Sequence, residues 1–187
     1  MIVKQISPWL PHRDRNTAPE LIVLHATAGA TASSSIAHLR GVGLSYHYII
    51  ARDEKDSGKS EQAGGGPALV FHCAPVGDHA FHVGSTIPSP SGHGINKASV
   101  GIGLANIQRR TNPEPYTPAQ LEALHALIEL VVLQAPSIRF LTTHAVIQPW
   151  NRSDPLGIDG KAIAARHGLT WWEPSAEQVQ AHKPRRP

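Results

Sequence analysis

The chain has 187 residues, of which 41% are hydrophobic and 17% charged. That composition suits one folded domain with a sizeable core and is short for two. It excludes a disordered chain, and the absence of an 18-residue apolar run excludes a membrane-spanning helix. The net charge of +3 comes partly from the Lys183-Pro184-Arg185-Arg186-Pro187 end, and it suits an anionic polymer, cell wall or nucleic acid, without choosing between them. Twelve histidines invite a search for metal ligands. The single cysteine, Cys73, lies in an apolar segment and reads as a buried inert thiol.

Residues 1–19, with Pro8, Pro11 and Pro19, read as an extended arm with a short edge strand at residues 2–6. They lack an apolar signal core, so the protein is expected in the cytoplasm of its producer unless something else releases it. Leu21-Ile22-Val23-Leu24 predicts a buried central strand that delivers His25 to its end, before a small-residue loop, Ala26-Thr27-Ala28-Gly29. A helix over residues 30–40 follows, capped by a Thr or Ser and ended by Gly41 and Gly43; His38 on it is a surface or packing residue. Residues 45–53 alternate as a second strand, residues 54–67 form a polar glycine-rich loop, and residues 68–73 form a third strand. Residues 74–97, which include His79, His82 and His93, predict a long functional loop. A fourth strand spans 98–106, its glycines allowing close approach to the backbone. Thr117-Pro118-Ala119-Gln120 opens the clearest helix, with Leu121, Leu124, Leu127, Ile128, Val131 and Val132 at helical spacing; His125 on it reads as a packing residue. A fifth strand, 138–144, again ends on a histidine, His144. A loop to 159, a short helix over 160–167 and a polar tail complete the chain. The domain is expected at 20–175, with 176–187 a flexible basic tail.

Two strands thus end on histidine, and Asp154 follows His144 by ten residues. Two imidazoles and a carboxylate at the same end of a sheet would make a three-ligand zinc site with a fourth position open for water, the pattern of catalytic zinc. Any one of these histidines alone is more often a separately satisfied core or surface residue. The case rests on the combination.

Further motifs sharpen it. His25 and its strand, Ser45-Tyr46-His47-Tyr48-Ile49-Ile50, Phe81-His82-Val83-Gly84, Ser99-Val100-Gly101-Ile102-Gly103-Leu104, Tyr116-Thr117-Pro118-Ala119-Gln120-Leu121, and Thr143-His144 through Asp154-Pro155 occur in this order. Together, over residues 20–160, they resemble the zinc-dependent N-acetylmuramoyl-L-alanine amidases, a family that includes phage lysozyme-type amidases, muropeptide-recycling amidases and peptidoglycan recognition proteins. The resemblance implies an α/β fold: a single domain with a central mixed β-sheet flanked by helices and a zinc cleft at one side of the sheet. It implies hydrolysis of the amide between N-acetylmuramic acid and L-alanine in peptidoglycan or muropeptides. It implies Zn2+ as cofactor, held by His25, His144 and Asp154. Tyr46 matches the tyrosine beside the zinc, and His82 the histidine of the Trp-His-Ala-Gly-like motif on the cleft wall, with Phe81 in place of the tryptophan.

Two positions depart from the family. Many members carry a glutamate, the general base, where this chain has Gly103, although some phage-type members also lack it. A lysine two residues before the third ligand is replaced by Arg152, which can hold an oxyanion but does not readily exchange a proton. The catalytic set is therefore expected to be Tyr46 for orientation, Arg152 for the oxyanion, and His82, ahead of His79, His47 or water, as proton donor to the leaving amine. The alternative is a peptidoglycan-binding module with weak or no hydrolysis. A nucleic-acid-binding protein is disfavoured by scattered basic residues and the lack of an aromatic platform.

Overall fold

A computed structural model describes residues 1–58, 66–109, 111–112 and 114–184. In chain order the strands are β1 (Ile2–Gln5), β2 (His12–Asp14), β3 (Leu21–Ala26), β4 (Tyr48–Ile50), β5 (Leu69–His72), β6 (Asp78–Ala80), β7 (Ser99–Leu104), β8 (Phe140–Thr143) and β9 (Thr170–Trp171). The helices are α1 (Ala32–Val42), α2 (Ile95–Ala98), α3 (Pro118–Gln134), α4 (His144–Ile147), α5 (Gly160–Arg166) and α6 (Ala176–His182).

Among the described residues the main sheet has seven strands in the order β1-β5-β4-β7-β3-β8-β9, with β2 and β6 forming a separate antiparallel ribbon. β3 lies between β7 and β8 and is parallel to both, and β4 is parallel to β7. β5 runs antiparallel to β4, which makes the sheet mixed, as the resemblance implies. All six residues of β3 are buried, which explains its near-continuous apolar run: a central parallel strand is covered on both faces. The period of two then sorts its side chains. Ile22 and Leu24 join Val100, Ile102, Leu124 and Leu127 in the larger core under α3. Leu21 and Val23 pack on the other face with Val83, Ile95 and Ile147, and His25 continues that face.

α1 starts at Thr31, whose side chain accepts from the Ser34 N–H, and Asp56 adds a carboxylate that accepts from the Ala32 and Ser33 N–H groups at 2.6 and 2.7 Å. It runs through Gly41 and ends on Gly43 in the left-handed region, φ 73°. α3 carries a full capping box between Thr117 and Gln120, with Pro118 in the first turn.

Several elements differ from the sequence expectation. The second strand shrinks to Tyr48–Ile50, because Ser45 and His47 bond to Phe81 and Gly101 outside the ladder. Residues 74–97 are not one loop: they hold β6 and open α2. The N-terminal arm supplies β1 to the sheet edge and β2 to the ribbon. The start of the supposed tail is α6, set by a Ser175–Gln178 capping box, while residues 185–187 and 59–65 of the glycine-rich loop lie outside the described residues. Among the described residues no helix is long and apolar enough to cross a membrane.

Candidate metal centre

β3 and β8 are paired in register, Leu24 opposite Thr143, so the next residue of each, His25 still within β3 and His144 at the start of α4, lies at the same level. Asp154 returns to them from the loop beyond α4. Its backbone carbonyl accepts from the Ala145 N–H at 2.8 Å, and its Oδ2 accepts from the Ala26 N–H at 3.3 Å. Oδ2 then lies 3.6 Å from His25 Nδ1 and 3.2 Å from His144 Nδ1. The ligand-capable atoms of the three residues all fall within 4.8 Å of one another, the single such cluster among the described residues.

The charges suit a cation. Burial, then the neighbouring His144, lowers the His25 pKa to about 4, so its imidazole is neutral at pH 7. Burial pushes Asp154 up, but the two imidazoles beside it outweigh that and hold its carboxyl well below the ordinary range. His25 Nδ1 is buried and has no hydrogen-bond partner. Such an orphaned lone pair is costly unless something fills the space it faces. A divalent cation bound by two imidazole nitrogens and one carboxylate answers both the lone pair and the anion, and the donor set is that of zinc with one position left open. The far sides of the rings are engaged as metal-bound histidines require: His25 Nε2 meets His82 Nδ1 at 2.9 Å, and His144 Nε2 meets Gln148 Oε1 at 3.4 Å. Gln148 was not evident from sequence, although its i+4 spacing from His144 on α4 was the available signal.

Tyr46 is half-buried, with its ring centroid 4.8 Å from that of His25. Burial and then the Asp154 charge push its phenol above the ordinary value, so it remains an O–H at neutral pH. It also lines a cleft of about 380 Å³ together with Thr27, Gly29, Ser34, Ser35 and His38. Gly103 pairs with His25 across the β3–β7 ladder. A Cβ there would lie 3.1 and 3.2 Å from Tyr46 ring carbons and 3.3 Å from Thr27 Cγ2, so the tyrosine occupies the room above the glycine. Arg152 is exposed, and its charge disfavours protonation of His25.

The geometry moves His82 from the cleft wall to a place behind His25. It is buried, bonded on both ring nitrogens, and its pKa is held well below the ordinary value by burial and then by His25, so the expected role as proton donor does not fit its position. The other candidate donors are buried too. His47 is fully buried, accepts from the Gly101 N–H at 2.9 Å, and is lowered to about 3 by burial and Arg15. His79 sits on β6, its ring edge-on to Phe81. Cys73 is buried and its thiol is pushed up to about 12 by burial, as expected of an inert cysteine.

Residues 15–157 match the profile of a family described as N-acetylmuramoyl-L-alanine amidase, well over half of the chain. No curated protein sequence matches significantly. Among solved structures, AmpDH3 from Pseudomonas aeruginosa is similar, with a TM-score of 0.66 and 22% identity over 91% of this chain and 65% of that one. So is the Ph2119 endolysin of a Thermus scotoductus bacteriophage, with a TM-score of 0.60 and 21% identity over 90% of this chain and 99% of the endolysin. AmiD from E. coli, solved with anhydro-N-acetylmuramic acid-L-Ala-D-gamma-Glu-L-Lys, gives a TM-score of 0.61 and 24% identity over 90% of this chain and 65% of AmiD. At these identities the structures share the fold. The chain spans 65% of the length of AmpDH3 and of AmiD, and nearly all of the endolysin.

Proposed function

The chain belongs to the N-acetylmuramoyl-L-alanine amidase family, and on that premise we propose that it hydrolyses the amide bond between N-acetylmuramic acid and L-alanine in peptidoglycan or in soluble muropeptides. The observation that carries the reading is the convergence of His25 Nδ1, His144 Nδ1 and Asp154 Oδ2 beside an open cleft. A Zn2+ ion held by these three residues would supply Lewis-acid polarisation of the scissile carbonyl and a water acidified towards neutrality. His25 and His144 serve as neutral donors and Asp154 as the anion. Tyr46, kept protonated beside His25, donates a hydrogen bond that orients the carbonyl or the attacking water. Arg152, exposed and near enough for its charge to act on His25 and Tyr46, offers a fixed positive charge to the oxyanion of the tetrahedral intermediate. With His47 and His82 buried away from the cleft, solvent water protonates the leaving amine. AmiD, solved with a muramyl peptide as its substrate, supports that substrate class.

A second reading is a peptidoglycan-binding module with little hydrolysis. It is favoured by Gly103 and Arg152, which leave no side chain that exchanges protons at either position where the family is expected to carry one. One experiment separates the two. Zinc-loaded protein is incubated with intact peptidoglycan and, in parallel, with an anhydromuramyl peptide. The amidase reading expects free stem peptides with an N-terminal L-alanine, abolished in His25→Ala and Asp154→Ala. Wall pulled down by zinc-loaded protein with no peptide released from either substrate would leave the binder. The substrate cleaved faster would also speak to place of action: fragments are met in the producer's cytoplasm, intact wall only after release.

A further inference from the structure

We propose that Ser99, Gly101 and His82 form a positioning chain behind the metal centre, which fixes the tautomer of His25 so that its Nδ1 is always the free donor. The inference rests on reading His25 as a metal ligand, but on no step of hydrolysis.

The direction of each hydrogen bond follows from proton counting. The Ser99 hydroxyl has one proton, and it is given to the Ile95 carbonyl at 2.6 Å. Its oxygen, 3.1 Å from His82 Nε2, is therefore an acceptor there, and His82 carries its proton on Nε2. His82 Nδ1 is then a bare lone pair, 2.9 Å from His25 Nε2. His25 Nε2–H must donate into it, and a neutral imidazole with its proton on Nε2 has none on Nδ1. That is the nitrogen that faces Asp154 and has no other partner. The chain is dry: Ser99 and His25 are fully buried and His82 nearly so.

His82 is itself held at both ends. Its backbone N–H and that of Val83 donate to Asn96 Oδ1 at 3.2 and 2.9 Å, and Asn96 Nδ2 donates back to the Val83 carbonyl at 2.9 Å. Its ring stands perpendicular to that of His25, at 89°. The ring lies directly over Gly101, where an added Cβ would approach three ring atoms to 2.7, 2.8 and 2.8 Å. Real Cβ atoms do not come that close to a ring, so only glycine admits His82 in this place. Ser99 and Gly101 are alternate residues of β7, on one face of the strand. The Ser-Val-Gly of β7 thus has one job: the serine sets the proton on His82 and the glycine makes room for its ring.

The test reads zinc affinity by competition with a chromophoric chelator, alongside the 15N shifts of the His25 imidazole in zinc-free protein. Second-shell partners of metal-bound histidines are worth about 10–100-fold in affinity. H82L is expected to lose affinity in that range. H82N, whose side-chain oxygen replaces the Nδ1 acceptor, is expected to stay within about threefold of wild type. G101A, which touches no metal ligand, is expected to behave like H82L, and S99A to lose several-fold. In the zinc-free wild type the 15N shifts should report the Nε2–H tautomer of His25, and in H82L a mixture. Melting curves establish which variants fold. S99A nearly conserves volume and H82N keeps an acceptor towards His25, so these two keep the test open if the others do not fold. Unchanged zinc affinity in folded H82L, or H82N as weak as H82L, would overturn the proposal. A wild-type protein that binds no zinc would sink the reading of the site itself, and one that binds zinc without hydrolysis would sink only the amidase reading.

Discussion

Gly103 and Arg152 show how two single residues divide the chemistry left to this site. An added Cβ at Gly103 already crowds the Tyr46 ring at 3.1–3.2 Å, so the absent carboxylate and the present tyrosine compete for one space. Restoring a glutamate there displaces Tyr46 rather than adding a base to it, and overpacking of this kind costs typically about 1–3 kcal/mol of stability. Arg152 is exposed and unconfined, so a lysine fits its place with no such penalty. The expected result is asymmetric. Arg152→Lys raises the rate of muropeptide cleavage, because an ammonium exchanges protons where a guanidinium does not, and Gly103→Glu lowers both rate and melting temperature. A gain in rate from Gly103→Glu, measured on the same substrate, would show that Tyr46 yields and that the missing base was limiting. His25, His144 and Asp154 were legible because apolar strands break off at the two histidines and the carboxylate follows at short range. The place of His82 was not. It depends on how an aperiodic segment folds back over β7, and nothing in the spacing of residues 81–84 says which side of His25 the ring takes.

Among the elements, α3 carries the most explicit local code, and its first turn also locks it to the sheet. Thr117 Oγ1 accepts from the Gln120 N–H at 3.1 Å and donates to the Arg52 carbonyl at 2.9 Å. The Gln120 side chain, fully buried, accepts from the Thr117 N–H and donates to the Ala105 carbonyl at 2.9 Å, just past the end of β7. Removing that side chain leaves a buried donor and a buried acceptor unpaired at once, each costing about 1–3 kcal/mol. Gln120→Ala is therefore expected to cost about 2–6 kcal/mol by urea denaturation, more than the ~1 kcal/mol typical of losing an N-cap alone. A loss below 1 kcal/mol would mean that water replaces the amide. The cap, the proline and the apolar spacing of α3 could all be seen in the sequence, because each acts within one turn. β2 and β6 could not. Their residues, His12-Arg13-Asp14 and Asp78-His79-Ala80, have no alternation, and they pair only because the fold brings the two backbones together. α6 had a visible signal, Ser175 three residues before Gln178, but no buried face to accompany it, and so resembled a polar tail.

For the molecule as a whole, seven buried or half-buried histidines set the response to acid. His47 is lowered to about 3 by burial and Arg15, and His25 to about 4 by burial and His144. His82 is held well below the ordinary value, and His72, His79, His125 and His167 are lowered too, each first by burial. In the unfolded chain each takes up its proton near 6.5. Below that pH the unfolded state binds more protons than the folded state, so stability falls as pH falls. Asp154 pulls the same way at lower pH, since a carboxyl held below its unfolded value contributes stability only while ionised. The melting temperature should therefore be flat above about pH 7 and decline steadily from pH 6.5 through pH 4, without the rebound expected if a histidine gained a partner on protonation. Zinc at the proposed site would steepen the acid end of the curve. On the proposed site it would bind the folded state through neutral imidazoles, and at a free concentration 100 times its dissociation constant it would add about 2.7 kcal/mol, roughly 5–11 °C in a chain of this size. With His25 held at about 4, that increment should stay full from pH 7.5 to about pH 5 and shrink towards pH 4, as protons compete for the His25 imidazole that would hold the ion. A melting series at five pH values, with and without a zinc buffer, measures both effects. A melting temperature that rises between pH 7 and pH 5 would reverse the sign derived from the buried histidines. A zinc increment undiminished at pH 4 would place the ion on ligands other than His25.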